Sequence, residues 1–304
     1  MKKINIGYFA DGYWAHESFR LINNDDRFQI KFICVRYDSG DKVLEKLSSE
    51  NDIDLLKHKN VNSSDFLDSL KKYNCDIFVS MSFNQILKKQ FIEFPRLKTI
   101  NCHAGKLPYY RGRNILNWVL INDEKDFGIT VHYVDEGIDT GDIMLQKTLP
   151  ITDEDNYNTL LNRSYVECAN VLYECLIKIY NNDTFVFKQN TIHPVGFYCV
   201  QRKEGDELIN WDSTSREIFN FVRAICIPGP MARTFCDGIE IKINKASLIP
   251  SAPDYKLIPG VIVGKSDNTI TVKTRDTTIL IEEFYSAKKL RIGDRLNQKE
   301  LIGG

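Results

Sequence analysis

The stretch with the clearest chemical potential runs Asn101-Cys102-His103-Ala104-Gly105-Lys106-Leu107-Pro108-Tyr109-Tyr110-Arg111-Gly112-Arg113. Asn101 and His103 stand two residues apart at the end of an apolar run that reads as a strand, so their side chains leave on the same face. An amide beside an imidazole can donate to a developing oxyanion and move a proton. Cys102 leaves on the opposite face, which makes a Cys–His nucleophilic pair from these neighbours geometrically poor. A working imidazole also needs a group to hold its tautomer and tune its basicity, normally a buried carboxylate. The cluster Val134-Asp135-Glu136-Gly137-Ile138-Asp139-Thr140-Gly141-Asp142 offers several. It follows another candidate strand, so both clusters are expected to meet at one end of a sheet. His132, inside that strand, reads as structural.

The elements that must position these residues alternate through the first half of the chain. Strands are predicted at Ile4–Phe9, Gln29–Val35, Asp76–Ser80, Lys98–Asn101, Gly128–Val134 and Asp142–Thr148. Helices are predicted at Trp14–Ile22, Asp41–Glu50, Ser64–Lys72, Leu87–Phe91 and Asn114–Ile121. Such alternation implies an α/β fold: a Rossmann-like, mostly parallel sheet with helices on both faces, whose ligands collect beyond the carboxyl ends of the strands. A long helix over Asn158–Ile179 carries Cys168, Leu172, Cys175 and Ile179 as a packing stripe. Trp211–Cys226 reads as a further helix. Short strands then follow at Glu240–Ala246, Gly260–Lys265, Thr269–Thr274 and Thr277–Phe284, the pattern of a small OB-like β-barrel. The predicted division is residues 1–200 and residues 201–304, the second part opening with the linker helix.

Several functions are disfavoured by what is missing. The first strand–helix turn, Phe9-Ala10-Asp11-Gly12-Tyr13-Trp14-Ala15, has one glycine and two bulky aromatics where a dinucleotide fold needs Gly-x-Gly-x-x-Gly. Asp11, Tyr13 and Trp14 nevertheless stand at the carboxyl end of strand one, where an aromatic pair could stack on a flat group or pack the helix start. The chain has no Gly-x-x-x-x-Gly-Lys-Ser/Thr run, and no cysteine pair has Cys-x-x-Cys spacing. No metal site is expected, and the eight cysteines read as reduced core thiols. Forty Lys+Arg against 41 Asp+Glu argues against a chain built to coat nucleic acid. With no apolar run of the ~18 residues needed to cross a bilayer, a cytoplasmic protein without a membrane partner is expected.

Taken together, Asn101-x-His103, Leu107-Pro108-x-x-Arg111-Gly112 and Asp135-x-Gly137-x-Asp139-Thr140-Gly141-Asp142 resemble the formyltransferase superfamily. Its members use 10-formyltetrahydrofolate and include methionyl-tRNA formyltransferase and the sugar N-formyltransferases. Asp206 to Arg223, Pro259-Gly260-Val261-Ile262 and Arg291-Ile292-Gly293-Asp294 extend the resemblance to the family's second domain. The resemblance implies His103 as general base or proton shuttle, Asn101 as oxyanion donor and Asp139 as the group orienting His103. It places the folate co-substrate on the backbone of Gln85, Ile86 and Leu87 and on the loop Asp135, Glu136, Gly137 and Ile138. Arg113 is counted with that group, at the position where aminosugar-directed members carry an arginine. Asp11, Tyr13, Trp14 and Arg111 are assigned to the acceptor side.

Two acceptors compete: the methionine of initiator tRNA and an amino sugar carried on a nucleotide. The tRNA-directed relatives carry a basic insertion soon after the second strand, whereas Cys34 to Leu70 here holds five Lys/Arg and eight Asp/Glu, a net of −3. Residues 260–304 carry eight Lys/Arg and six Asp/Glu, a net of +2. Both figures disfavour a macromolecular polyanion. Arg111-Gly112-Arg113-Asn114-Ile115-Leu116-Asn117-Trp118 also resembles the aminosugar branch. The expected acceptor is therefore a nucleotide-linked amino sugar, by resemblance a 4-amino-4,6-dideoxyhexose on UDP or dTDP made for surface glycans. Methionyl-tRNA formylation, hydrolysis of 10-formyltetrahydrofolate without an acceptor, and a non-catalytic binding module are the alternatives. A homodimer formed through the C-terminal part is a further expectation.

Overall fold

The computed structural model describes residues 2–298. Its first compact unit comprises residues 2–115, 127–149 and 162–199. The unit is built on a seven-stranded sheet of order β3-β2-β1-β4-β5-β7-β8. The strands are β1 (Ile4–Ala10), β2 (Phe28–Val35), β3 (Asp54–Lys57), β4 (Ile77–Met81), β5 (Thr99–His103), β7 (Asp126–Tyr133) and β8 (Ile143–Pro150). A separate two-residue pair joins β6 (Arg111–Gly112) in parallel to β9 (Tyr198–Cys199). The helices are α1 (Tyr13–Asn23), α2 (Lys42–Glu50), α3 (Ser64–Leu70), α4 (Lys89–Ile92), α5 (Ile115–Ile121) and α6 (Tyr157–Tyr180), of which α5 and α6 run on into the second unit.

The first five strands are parallel, and β1 is buried along nearly its whole length, as expected of a central strand covered on both faces. Successive side chains of β1 show the two layers directly. Phe9 packs edge-on to Phe91 of α4, with ring centroids 4.8 Å apart, in a core shared with Phe66 and Leu70 of α3. Tyr8 points the other way, and its hydroxyl donates to the Ala15 carbonyl of α1 at 2.8 Å. Helices thus cover both faces, and strand order reverses between β1 and β4. Along α6 the predicted stripe holds at Cys168, Leu172 and Cys175, all buried, while Ile179 at its end is half-buried.

Two features depart from expectation. Strand β3, Asp-Leu-Leu-Lys at the sheet edge, has too short and too exposed a pattern to be read as a strand. More consequentially, β7 pairs antiparallel with β5, setting Asn101 opposite His132 and His103 opposite Thr130.

The second unit comprises residues 116–126, 150–161 and 200–298. Its helix α7 (Ser215–Ile225) begins four residues later than the predicted start at Trp211. Thr214 accepts from the Glu217 backbone while Glu217 returns a bond to the Thr214 backbone, a reciprocal cap that sets the first turn. Trp211 instead buries its ring and donates Nε1–H to Thr234 at 2.9 Å. The β domain is a five-stranded sheet of order β10-β11-β14-β13-β12 whose neighbouring strands are all antiparallel. They are β10 (Ala232–Cys236), absent from the sequence prediction, β11 (Ile239–Leu248), β12 (Ile262–Lys265), β13 (Ile270–Lys273) and β14 (Thr278–Ser286). No helix among the described residues is long and apolar enough to cross a membrane.

Candidate active site

Strand β5 ends on His103, whose ring is buried and whose Nε2 lies 2.7 Å from the Tyr110 carbonyl oxygen. A carbonyl only accepts, so Nε2 carries the hydrogen and, in the neutral ring, Nδ1 carries the lone pair. Gly105 makes this arrangement possible: a Cβ there would sit 2.4 Å from His103 Nε2 and 2.5 Å from the Tyr110 oxygen. The loop between them is tied to the sheet, since Thr130 donates to the Gly105 carbonyl at 2.7 Å and Gln146 donates to the Leu107 carbonyl at 2.9 Å. On the other face of β5, the Cys102 thiol is directed to the Cys168 carbonyl of α6, as the alternation predicts.

The second cluster arrives by a different route from the expected one. Because β7 runs against β5, it ends beside Ile100 and not beside His103. Residues 134–142 must double back for Asp139 to reach His103. The return is held by close main-chain packing, for a Cβ on Gly141 would lie 1.7 Å from the Tyr133 oxygen. Gln189 pins it from outside, donating to the carbonyls of Asp139 and Gly141 at 2.8 Å each. Asp139 itself adopts a left-handed backbone, with φ 53°, which a non-glycine residue keeps only where its surroundings over-determine it.

These turns bring four polar side chains together. Asp139 Oδ2 accepts from the Gly112 N–H at 2.9 Å and faces His103 Nδ1 at 3.6 Å. Its Oδ1 faces His132 Nε2 at 3.5 Å. His132 donates Nδ1–H to the Tyr133 carbonyl at 2.7 Å, and its Nε2 accepts from Asn101 Nδ2 at 3.3 Å. The sequence reading separated His132 from the chemistry; register alone puts it opposite Asn101. The signal available in sequence was its two-residue spacing from Thr130 and Val134, which gives all three one face.

Burial alone would push the Asp139 carboxyl up, but the two imidazoles and the Gly112 N–H outweigh it and hold the group well below the usual carboxylate range. A carboxylate that stays ionised across the neutral range therefore sits between two imidazoles and can stabilise positive charge on either. Beside them, Asn101 supplies an amide donor. The set can accept a proton, hold the resulting imidazolium and donate to a negative oxygen.

The remaining predicted residues fall into separate groups. Arg111 is engaged by the scaffold: Nε and Nη2 donate to Gln189 Oε1 at 3.1 and 2.6 Å. Arg113 is exposed, and its backbone N–H donates to the Cys199 carbonyl at 3.1 Å. Asp11 pairs with Arg36 at 3.4 Å, while the exposed Tyr13 and the indole of Trp14 both pack against Tyr165. Leu87 is buried and Ile86 is exposed. Asp135 accepts from the Gly137 N–H and the Thr140 hydroxyl, closing the loop that exposes Glu136 and Ile138. A cavity of about 300 Å³ between α4 and the returning loop is lined by Lys89, Ile92, Tyr133, Asp135 and Glu136. A larger one of about 660 Å³ lies in the second unit, against Phe219, Arg223 and Leu248, and holds none of the predicted site residues.

A sheet of this topology carries an Asn–His–Asp cluster on its fifth strand and returning loop, an arrangement able to move a proton. The chain matches the formyl transferase family over residues 28–176 and the formyl transferase C-terminal domain over residues 202–299. It is 32% identical over 262 residues to the methionyl-tRNA formyltransferase of Thermodesulfovibrio yellowstonii, covering 84% of this chain and 82% of that one. With the methionyl-tRNA formyltransferase of Pelotomaculum thermopropionicum it shares 34% identity over 238 residues, 78% of this chain and 74% of the other. Among solved structures, the N-formyltransferase from Helicobacter canadensis in complex with folinic acid and dTDP-3-aminofucose superimposes with a TM-score of 0.68 at 25% identity, covering 94% of this chain and all of that one. WlaRD, a sugar 3N-formyl transferase crystallised with dTDP and 5-N-formyl-THF, gives a TM-score of 0.67 at 23% identity, with 95% and 100% coverage. The chain belongs to the formyl transferase family, and it is a formyl-transferring enzyme.

Proposed function

We propose that this enzyme moves the formyl group of 10-formyltetrahydrofolate onto the amine of a nucleotide-linked amino sugar. In the reaction the amine nitrogen bonds to the formyl carbon, the bond from that carbon to N10 of the folate breaks, and N10 takes up a proton while the amine loses one. Asn101 donates to the formyl oxygen as the carbon becomes tetrahedral. His103 accepts the amine proton at Nδ1, the nitrogen left free by the bond from Nε2 to Tyr110. Asp139 stabilises the imidazolium so formed, and His132, accepting at Nε2, holds the Asn101 amide in place. On this reading the Tyr110 carbonyl sets the His103 tautomer, a task that sequence reasoning gave to Asp139.

The observation that carries the choice of acceptor is the connection between β2 and α2. Residues 36–41 complete it, and they contain Asp38 and Asp41 but one cation, Arg36, which is engaged with Ser82 and Asp11. That surface suits a small acceptor better than a polyanion. The Helicobacter canadensis neighbour, whose whole length this chain covers, is bound to a dTDP-amino sugar. Methionyl-tRNA formylation is the second reading, favoured by the curated relatives at 32–34% identity. Incubating the protein with 10-formyltetrahydrofolate and, in parallel, dTDP- and UDP-linked amino sugars or charged initiator tRNA separates the two. Formylated nucleotide sugar is expected; formylated methionyl-tRNA with inert sugars would establish the second reading, and folate turnover without any acceptor would exclude both.

Gly105→Ala tests the tautomer argument. The added methyl must displace the imidazole or the Tyr110 carbonyl, and misplacing a catalytic group by about 1 Å costs on the order of 100-fold in rate. A loss of that size in kcat is expected from steady-state assays, together with a lower thermal midpoint in melting curves, because backbone at Tyr110 must give way. An alanine variant as fast as the parent would show that the Nε2 contact does not matter.

A further inference from the structure

The folate reading rests on main-chain groups of residues 85–87, yet these lie in the irregular segment between β4 and α4, where nothing in the local sequence fixes a shape. We infer that Arg36 and Asn62, from two neighbouring loops, are positioning residues that hold the Ser82–Lys88 segment in its folate-binding form. This inference rests on the proposed folate site and concerns what keeps that site ready.

The Asn62 side chain acts as a strand partner for the segment. Its Nδ2 donates to the Ile86 carbonyl at 2.9 Å, and its Oδ1 accepts from the Lys88 N–H at 2.7 Å. Both bonds flank Leu87, and Lys88 is extended, with φ −98° and ψ 163°. In extended chain, the groups of one residue point opposite to those of its neighbours. Asn62 therefore occupies one edge of the segment and turns the N–H and C=O of Leu87 toward the other. Gln85 adds to the same effect. Its side-chain amide is spent on the adjacent loop, donating to the His58 carbonyl at 2.8 Å and accepting from the Val61 N–H at 2.9 Å.

Arg36 secures the start of the segment. Its Nε donates to the Ser82 carbonyl at 2.9 Å, Nη2 contacts that carbonyl and donates to the Ser82 hydroxyl at 3.1 Å, and Nη1 pairs with Asp11 at 3.4 Å. Ser82 has φ 59°, a left-handed backbone that a serine keeps only when held. Asn84 donates to both Asp38 oxygens, at 3.1 and 2.9 Å, and ties the next turn to the loop that carries Arg36. A ligand that meets main-chain donors already in place is spared the cost of ordering them.

The test compares Asn62→Ala, Asn62→Asp, Arg36→Met and Arg36→Lys in the full-length protein. Calorimetric titration with 5-formyltetrahydrofolate, the non-transferring isomer, measures affinity, and hydrogen exchange follows the amides of residues 85–88. Each deletion variant is expected to bind the folate about tenfold more weakly. KM for 10-formyltetrahydrofolate should rise in both, the segment's amides should exchange faster, and in Asn62→Ala, which touches no acceptor residue, kcat at saturating folate should stay at the parent value. Asn62→Asp, which keeps the acceptor for Lys88, and Arg36→Lys, which keeps one donor, should fall between parent and deletion. Unweakened folate binding in the deletion variants would overturn the positioning role alone. Parent protein that binds no folate would overturn the folate reading beneath it.

Discussion

Replacing His103 by alanine is expected to lower formyl transfer by about 100- to 10,000-fold, the usual contribution of a positioned general base. The expectation follows from which nitrogen is free. With Nε2 bonded to the Tyr110 carbonyl, Nδ1 is the basic atom, and it lies 3.6 Å from an ionised carboxylate. A proton taken there is stabilised at once, and no other group on this strand can take it: Asn101 is an amide, and Cys102 faces α6. His132 already donates Nδ1–H to a carbonyl and accepts from Asn101 at Nε2, so taking the proton at Nε2 would cost it the Asn101 contact. The loss should appear in kcat, with folate affinity kept, because the residues assigned to the folate come from other loops. Asn101→Ala should be milder, on the order of 100- to 1,000-fold for one oxyanion donor. Stopped-flow or discontinuous assays at saturating substrates, with melting curves to confirm the fold, decide the matter. An alanine variant within a few-fold of the parent would remove His103 from the proposed chemistry.

What the sequence made legible was local. Asn101 and His103 share a face because they are two apart on a strand, and that follows from the pleat alone. The glycine-poor turn after β1 is a property of consecutive residues, as are the strand–helix alternation that marks β1, β2, β4 and β5 and the apolar stripe of α6. Direction and register were not legible, because they depend on partners distant in the chain. The antiparallel course of β7 is invisible in Gly128–Val134 itself, yet it turns the Asp135–Asp142 loop from a simple neighbour into a segment that folds back. It also moves His132 from a mid-strand imidazole to the group opposite Asn101. Gln189, which holds that loop through two carbonyls, lies 50 residues from Asp139 and carries no motif. Likewise β3 and β10 are too short for alternation to announce them, and α7 starts where its Thr214–Glu217 cap forms, not where the apolar pattern begins.

Asp139→Asn should separate charge from geometry. The amide oxygen of asparagine can still accept from the Gly112 N–H, which anchors the returning loop at 2.9 Å. The negative charge facing His103 and His132 is lost, however, and with it the stabilisation of the imidazolium. A fall in kcat of roughly 100- to 10,000-fold is expected, as when the carboxylate partner of a catalytic imidazole is neutralised elsewhere. The pH dependence carries the sign. The Asp139 carboxyl is held below its ordinary value of 3.8, so it stays ionised across the neutral range, and activity lost between about pH 8 and 5 must come from other groups. By linkage, a depressed carboxylate contributes stability that is fully present above that ordinary value and is lost as pH falls through the lower folded one. The variant should therefore melt earlier than the parent at neutral pH, and the difference should shrink below about pH 4 as the parent's carboxyl becomes protonated. Paired melting curves from neutral to acid pH, alongside kcat, test both halves. A stability gap that stays constant into acid would mean that Asp139 acts through its shape, and an unchanged kcat would mean that its charge takes no part in the reaction.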